Sequence, residues 1–155
     1  MADETPRFEA IFQSVGARLK ASVGHTLFTV SHVLPDGKQV ERIFTSMPAD
    51  YPNGGRKPVH HTAWNEVMAS GTCFVASTPA QFGPHFQDLE TIVALGFGAV
   101  INIPVVHNGR MLGSLNLLDK EGAYRGDVLP ACYAVLDPAL EGFIEYEKFS
   151  STKSA

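Results

Sequence analysis

Two apolar stretches, Ala99–Val106 (AVINIPVV) and Met111–Leu118 (MLGSLNLL), flank the four residues His107–Arg110 (HNGR). Asn-Gly is the pair that a type I′ turn favours, because both central positions of that turn need a positive φ. The two stretches are therefore predicted to be long, buried strands joined by a tight hairpin. Such strands must be antiparallel, and we expect them at the centre of the sheet.

A second hairpin is predicted nearer the N-terminus, where the hydrophobic period is two and β-branched residues accumulate. Its strands are Leu27–Val33 and Val40–Thr45. The turn between them, Pro35–Lys38, contains a Pro with its fixed φ and a Gly that tolerates a positive φ. A short apolar strand is predicted at Cys73–Ser77, whereas residues 47–57 carry no periodic pattern and are predicted to be a loop.

Helical segments separate the predicted strands. In Phe8–Leu19 the apolar residues recur every three or four positions and share one face. A short helix is predicted after Thr62, which is a suitable N-cap, and another is predicted over Phe86–Leu95. A last helical region, with Asp127 as its predicted N-cap, should be broken or kinked at Pro138, which has no N–H to donate.

The order of these elements is helix, hairpin, helix, strand, helix, hairpin, helix. Helices must cover at least one apolar face of the antiparallel sheet, so we predict an α+β fold. The 155 residues are assigned to one domain, 1–155, with an ordered core at 6–148 and a frayed tail at 149–155.

Composition is typical of a globular chain. Hydrophobic residues make up 45% and charged residues 18%, and the net charge is −4 with no basic block. These features argue against nucleic acid and membrane as partners, and no apolar run reaches the roughly eighteen residues of a membrane span. The acidic N-terminus is not a secretory signal, and two cysteines in the whole chain require no disulfide, so we expect a cytoplasmic protein.

The C-terminal hairpin and the residues after it form a recognisable combination, with a Pro in the first strand and a Gly-x-Leu-x-Leu pattern in the second. The combination comprises Pro104 within Val100–Val105, the Asn108-Gly109 turn, Leu112–Leu118, Asp119-Lys120, Tyr124 and Asp127. In these residues, and in element order from Phe8 to Tyr146, the sequence resembles a stand-alone GAF domain. Family members often have Asn-Lys, Phe and Asp at the last positions.

The resemblance implies a six-stranded antiparallel sheet with the first and last helices on one face. The other face, roofed by loops and the middle helices, would hold a ligand cavity. GAF domains bind cyclic nucleotides, tetrapyrroles, haem, amino acids and other small metabolites, commonly as dimers. We therefore expect a homodimer through the first and last helices. Because this sequence carries no kinase, cyclase, phosphodiesterase or DNA-binding module, the domain is expected to signal through a partner protein.

Two asparagines interrupt the apolar central hairpin. Asn102 alternates with isoleucines and Asn116 alternates with leucines, so each amide lies on the face opposite its apolar neighbours. A buried amide without partners costs about 1–3 kcal/mol, so each must be satisfied. Either the amides bond to each other or to a loop, or both point into the cavity, away from the first and last helices, and orient a polar ligand.

Other candidate ligand contacts lie around the predicted cavity. Arg42, Arg56 and Lys57 could each bind a carboxylate or phosphate, and Arg56 is preferred because Gly54-Gly55 before it could form a nest of N–H groups. Metal binding at His60-His61 is disfavoured, because no carboxylate lies at a ligand-like spacing. The predicted polar contacts are Ser46, Arg56, His60, Asn102 and Asn116, and the predicted apolar walls are Tyr51, Trp64 and Phe74.

Three functional hypotheses stay open. The leading one is a sensor of a small polar or anionic metabolite, with no metal, catalytic residue or known cofactor assigned. The alternative is a small enzyme with Cys73 as thiol nucleophile and His60 or His61 as base, similar to the GAF-fold enzymes that reduce free methionine sulfoxide. The chain lacks their Gly-His-Ile-Ala-Cys-Asp-like motif, and Cys73 opens an apolar strand. The third is a dimerisation module with a vestigial cavity.

Overall fold

The computed structural model describes residues 5–58, 70–82 and 89–154. The described helices are α1 (Arg7–Ser22), α2 (Pro79–Phe82), α3 (Leu89–Ala94), α4 (Leu129–Tyr133) and α5 (Leu136–Ser154). The described strands are β1 (Leu27–Val33), β2 (Gln39–Thr45), β3 (Arg56–Pro58), β4 (Phe74–Ala76), β5 (Ala99–His107) and β6 (Arg110–Asp119). These strands form one six-stranded antiparallel sheet in the order β3-β2-β1-β6-β5-β4, which confirms the predicted α+β architecture.

The β5–β6 hairpin has the geometry that its turn residues predict. Asn108 and Gly109 both adopt a positive φ, at 52° and 75°. These values match a type I′ turn. Strict pairing outward from that turn would place Asn102 opposite Leu115, but a bulge between Val105 and Val106 shifts the register by one residue. Asn102 therefore lies directly opposite Asn116. β6 is a central strand, because it pairs with β5 on one side and with β1 on the other.

The first and last long helices, α1 and α5, cover one face of the sheet. Phe12 of α1 and Phe143 of α5 are fully buried, with ring centroids 5.3 Å apart. Burial of each such side chain contributes about 1.5–3 kcal/mol. The sheet contributes Ile101, Ile103, Leu115 and Leu117 to the same core.

The opposite face carries a second, smaller core. Leu27, Val100 and Leu118 of three neighbouring strands pack there against the helical residues Phe82 and Ile92. Tyr51, from the loop between β2 and β3, belongs to this cluster as well. Both faces are therefore covered, one by long helices and the other by loops and short helices.

The C-terminal region departs from the prediction in its last residues. The chain leaves α4 after Tyr133 and begins α5 at Leu136, so Pro138 lies in the first turn, where a missing N–H is tolerated. α5 then continues to Ser154, although a frayed tail was predicted from residue 149. The reason is that Phe149 packs against the ring of Phe8 at 5.1 Å, which anchors the last turns, and helix propagation needs only one hydrogen bond per added residue.

Three further details concern the shorter elements. α4 has Val128 at its N-cap rather than the predicted Asp127. β3 begins within the segment 47–57, which was predicted to be a loop. The helix predicted after Thr62 and the first residues of the one predicted from Phe86 lie outside the described residues. Within the described ranges, no helix is both long and apolar enough to cross a bilayer.

Candidate functional site

Polar side chains from β1, β5 and β6 form a hydrogen-bonded cluster, here termed the polar ladder. Its members are Thr29, Ser31, Asn102, Ser114 and Asn116. The Oδ1 atom of Asn116 accepts from Asn102 Nδ2 at 2.8 Å and from Ser114 Oγ at 2.9 Å. Its Nδ2 atom donates to the hydroxyls of Thr29 and Ser31, each at 3.1 Å. The amide of Asn116 is thus satisfied on both sides.

Asn102 uses only one side of its amide within the described part of the chain. The residue is 3% exposed, and its Oδ1 atom is buried without a hydrogen-bond partner there. An unpaired buried carbonyl of this kind costs about 1–3 kcal/mol. Asn102 lies between Asn116 of β6 and Phe74 of β4. The ladder therefore ends at the Oδ1 atom of Asn102, next to Phe74. This atom is a hydrogen-bond acceptor without a donor in the described part of the chain.

The ladder lies on the face that was predicted for it. Residues two positions along the same strands, Leu27, Val100 and Leu118, belong to the smaller core. The residues that alternate with them pack under α1 and α5. Since alternate residues of a strand share a face, both amides point away from the two long helices, which confirms the predicted orientation.

A β-bulge adds a cation to this face. The β1–β2 register shifts between Val30 and Ser31, so that Thr29 pairs with Thr45 while Ser31 pairs with Arg42. Ile43, the extra residue, is buried in the helix-side core. Strict alternation from Thr45 would have put Arg42 on the helix side. The extra residue of the bulge returns it to the ladder side, next to Ser31.

Arg42 holds the β2–β3 loop against this face. Its guanidinium carbon lies 3.6 Å from the centroid of the Tyr51 ring, and Nη1 donates to the carbonyl of Pro52 at 2.6 Å. The backbone carbonyl of Arg42 also accepts from the N–H of Gly54 at 2.9 Å. A cation over a ring face contributes about 0.5–2 kcal/mol. Tyr51 is consequently fixed at the margin of the ladder.

The predicted site residues divide into three groups. Tyr51, Phe74, Asn102 and Asn116 lie on the ladder face. Arg56 and Ser46 do not join them, as described next, and His60 and Trp64 lie outside the described residues. The structure thus brings together four of the eight.

Arg56 is on the helix side of the sheet. Its register partner is Glu41, and its Nε atom donates to the Glu41 carboxylate at 2.9 Å. Glu41 in turn pairs with His32, whose ring packs against α5. The Gly54 N–H that was expected to form an anion nest is instead used by the Arg42 carbonyl. Among the cations considered, Arg42 rather than Arg56 is therefore placed beside the ladder.

Ser46 lines a different feature, an open cleft of about 450 Å³ between α1 and the end of β2. Its Oγ atom accepts the backbone N–H of Phe28 at 2.9 Å, so the hydroxyl continues the β1–β2 pairing beyond the last strand residue. Lys20 and His25 line the same cleft. Ser46 accordingly has a structural role where it lies.

The two thiols are buried in the helix-side core. Burial raises the pKa of the Cys73 thiol, with an opposing hydrogen bond to Tyr133, and burial with the nearby Cys73 raises the pKa of Cys132 to about 12. A reactive thiol needs a lowered pKa and solvent access. Here both thiols are buried and the pKa of each is raised, which weakens the hypothesis of a thiol enzyme.

Metal ligation has no support in the described ranges, where no group of three or more His, Cys, Asp or Glu side chains could hold an ion. His60 and His61, the pair considered for it, lie outside those ranges.

Sequence reasoning missed three contributors to the site, Thr29, Ser31 and Ser114, and it ranked Arg42 below Arg56. Thr29 and Ser31 are visible as alternating polar residues in a predicted strand, which is a usable signal. The pairing of β1 with β6 cannot be seen in the local sequence, because it joins residues 85 and 87 positions apart.

Comparison with known proteins gives a consistent fold. No protein-family model matches the sequence, and no curated relative was found. The GAF domain of a two-component sensor histidine kinase from Bacillus halodurans superposes with a TM-score of 0.74 at 11% identity, covering 94% of this chain and 99% of that one.

Two further solved structures extend the comparison. The second GAF domain of DevS from Mycobacterium smegmatis has a TM-score of 0.59 at 14% identity and covers 95% of this chain and 98% of that one. The blue-light-absorbing PixJ GAF domain of Thermosynechococcus elongatus has a TM-score of 0.61 at 14% identity, with coverages of 95% and 89%. With the six-stranded sheet and its two long helices, these matches show that the chain has the GAF domain fold.

Proposed function

We propose that this chain is a sensory module that binds a small polar metabolite on the ladder face of its sheet. The observation that carries the proposal is the Oδ1 atom of Asn102, which is buried without a partner in the described part of the chain. The fold gains little from an amide at this position, because the unpaired carbonyl offsets the hydrogen bond that Asn102 donates to Asn116. The similarity to the GAF domains of a sensor histidine kinase and of the blue-light-absorbing PixJ supports a sensory role.

The hydrogen-bond pattern of the ladder determines which ligand group can bind to Asn102. Oδ1 is an acceptor, so the ligand presents an N–H or O–H to Asn102. A ligand acceptor would be matched only if both amides and the hydroxyls of Thr29, Ser31 and Ser114 reversed together. Phe74 and Tyr51 supply apolar walls on the same face.

An anionic group on the ligand would be met by Arg42. Arg42 lies on β2 and Asn102 on β5, so they are three strands apart, about 14 Å across the sheet, and about 7 Å apart along the strands because Arg42 lines up with Pro104. One Nη atom of Arg42 is engaged with Pro52, and the other N–H groups of the planar fork can serve a carboxylate or phosphate. A metabolite that reaches from Asn102 towards Arg42 would use both ends of the face.

Native mass spectrometry of the protein purified from cells tests the proposal. The wild type should carry a bound small molecule, and Asn102→Leu should lose at least about tenfold in occupancy, which corresponds to about 1.4 kcal/mol. Gln13→Leu is the matched control, since it makes the same amide-to-leucine change at an exposed position of α1. Equal occupancy in wild type and Asn102→Leu would contradict the proposal.

A thermal-shift assay with paired heterocycles tests the ligand group itself. Theophylline has an N–H where caffeine has an N-methyl group, so only the former can donate to Asn102 Oδ1. The donor-bearing member of such pairs should raise the melting temperature more, and the difference should vanish in Asn102→Leu. Failure to find any bound mass or any difference between paired compounds would refute a small-molecule role.

We further propose that the module acts as a homodimer through α1 and α5 and passes its signal to a partner protein. Ile144, on the outer side of α5, leaves a large apolar side chain 37% exposed. Light scattering should give about twice the chain mass of 16.8 kDa, and Ile144→Glu should shift it to monomer. Leu129→Glu, an equally exposed leucine of α4, is the control. A monomer mass at all concentrations would rule the dimer out.

A further inference from the structure

Two consecutive residues of β1 connect the ladder face to the last helix. Ser31 accepts from the Asn116 amide on the ladder side. The next residue, His32, points to the other side, where its Nε2 atom is 2.9 Å from a carboxylate oxygen of Glu147 in α5. His32 is 4% exposed, and its ring stacks on Phe143 of the same helix. Alternation in one strand thus joins two polar clusters across the thickness of the sheet.

The contact with Glu147 is shared by a third element. Arg110, the first residue of β6, donates to both oxygens of the Glu147 carboxylate, at 3.1 and 3.3 Å. Burial opposes ionisation of this carboxyl, but the hydrogen bonds from His32 and Arg110 outweigh it and lower the pKa of Glu147. We term His32, Arg110 and Glu147 the α5 latch.

β6 makes a second connection of the same kind. Ser114 belongs to the ladder, and Gly113 before it lies on the helix side. A Cβ at Gly113 would come within 1.9 Å of the Ser31 carbonyl and 2.7 Å of the Phe143 ring. β1, β6 and α5 are therefore closely packed at this point. A small shift of Ser31 must displace either β6 or α5.

We propose that the Ser31–His32 segment of β1 couples ligand occupancy of the polar ladder to the hold of the latch on the C-terminal half of α5. This rests on the proposed function, since the ligand is the one that meets Asn102. The bulge between Val30 and Ser31 gives the segment local freedom that a regular ladder of strand hydrogen bonds would deny it. A ligand that orders Asn102 and Asn116 fixes Ser31, and with it His32.

The coupling has a definite direction. A fixed Ser31 keeps His32 seated on Phe143 and Glu147, so occupancy should reduce opening of the last turns of α5. By reciprocity, breaking the latch should loosen the ladder by the same factor. α5 packs on α1, so the latch controls the helix pair that we propose as the dimer surface.

Hydrogen exchange in the ligand-free protein tests the coupling directly. Ser31→Ala should raise amide exchange over residues 143–150 by at least about fivefold, the lower end of typical coupling between sites, relative to exchange within α1. Thr29→Val is the matched control, because it removes the other acceptor of the same Asn116 Nδ2 group but does not adjoin His32. The control should stay within twofold of wild type. Equal effects of the two variants, or none, overturn the proposal.

The reverse measurement covers the case in which Ser31→Ala fails to fold. In Glu147→Gln the side-chain NH2 protons of Asn116, observed by NMR, should exchange at least about fivefold faster with solvent than in wild type. Glu145→Gln, two residues before Glu147 on α5, should leave them unchanged. Unchanged Asn116 protons in Glu147→Gln also overturn the coupling. Neither experiment involves ligand, so the coupling and the proposed function fail by different results.

Discussion

Replacing the two ladder asparagines singly and together tests whether the ladder is built as the hydrogen bonds indicate. Asn116→Leu removes the only partner that the described chain gives to Asn102, which is 3% exposed. It also withdraws the donor from Thr29, which is 2% exposed. Stranded buried polar groups cost about 1–3 kcal/mol each, and a hydroxyl can rotate to another acceptor, so we expect a loss of about 2–4 kcal/mol.

Asn102→Leu should behave quite differently. It takes one donor from Asn116, whose Oδ1 atom keeps the hydrogen bond from Ser114. It also removes the unpaired Oδ1 of Asn102. Loss and gain are of similar size, so the free energy of unfolding should change by less than about 1 kcal/mol. If Asn102 serves the ligand, this variant keeps its stability and loses its binding, which is a common relation between stability and function.

The double variant completes the cycle. With Leu at both positions no amide is stranded, so the total loss should be smaller than the sum of the single losses by about 1–3 kcal/mol. Urea unfolding followed by circular dichroism measures all four proteins, and an unchanged m-value shows that the transitions are comparable. Additivity within about 0.5 kcal/mol would mean that the two amides are not paired, and the ladder as described would be wrong.

Three further outcomes follow from single residues. Gly113→Ala should cost more than about 4 kcal/mol or prevent folding, measured by urea unfolding, because its Cβ would meet the backbone carbonyl of Ser31, which cannot rotate away. Burial lowers the pKa of His25, so as the pH falls below about 6.5 the unfolded chain gains a proton that the folded one resists. The free energy of unfolding should then decrease, and His25→Gln should remove that part of the slope. Cys73 should react with iodoacetamide at neutral pH at least about tenfold more slowly than glutathione, and Cys73→Ser should leave ligand occupancy within tenfold; rapid alkylation that abolished a turnover would restore the enzyme hypothesis.

Local sequence determined the central hairpin and the orientation of its amides. Asn108-Gly109 sets the turn, and alternation in each strand sets the face of each asparagine. These two steps depend on residues a few positions apart, so no tertiary information was needed. The same holds for α1, whose buried face follows from its hydrophobic period. The pairing of Asn102 with Asn116 depends in addition on the bulge between Val105 and Val106, which the turn residues do not predict.

The cation beside the site could not be predicted in the same way. Arg42 and Arg56 are both exposed enough for a ligand and both flank the loop, and the choice between them depends on one extra residue in β2. Where a bulge occurs is decided by packing, here by the burial of Ile43 under the helix layer. A period-two argument has no means of locating it, and one residue of slip exchanges the two faces.

The boundary of the site is drawn by the sheet itself. Leu27, Val100 and Leu118 show that these three strands can close this face with apolar packing, and they do so next to α3. Two residues away in each of these strands, the same face carries the polar residues Thr29, Asn102 and Asn116. Within the described residues, hydrogen bonds satisfy the buried polar atoms of these three side chains except the Oδ1 atom of Asn102. A polar cluster kept only to join the strands would close on itself, whereas this one stops at Asn102 with its acceptor directed away from Asn116, which is why we propose that a ligand completes it.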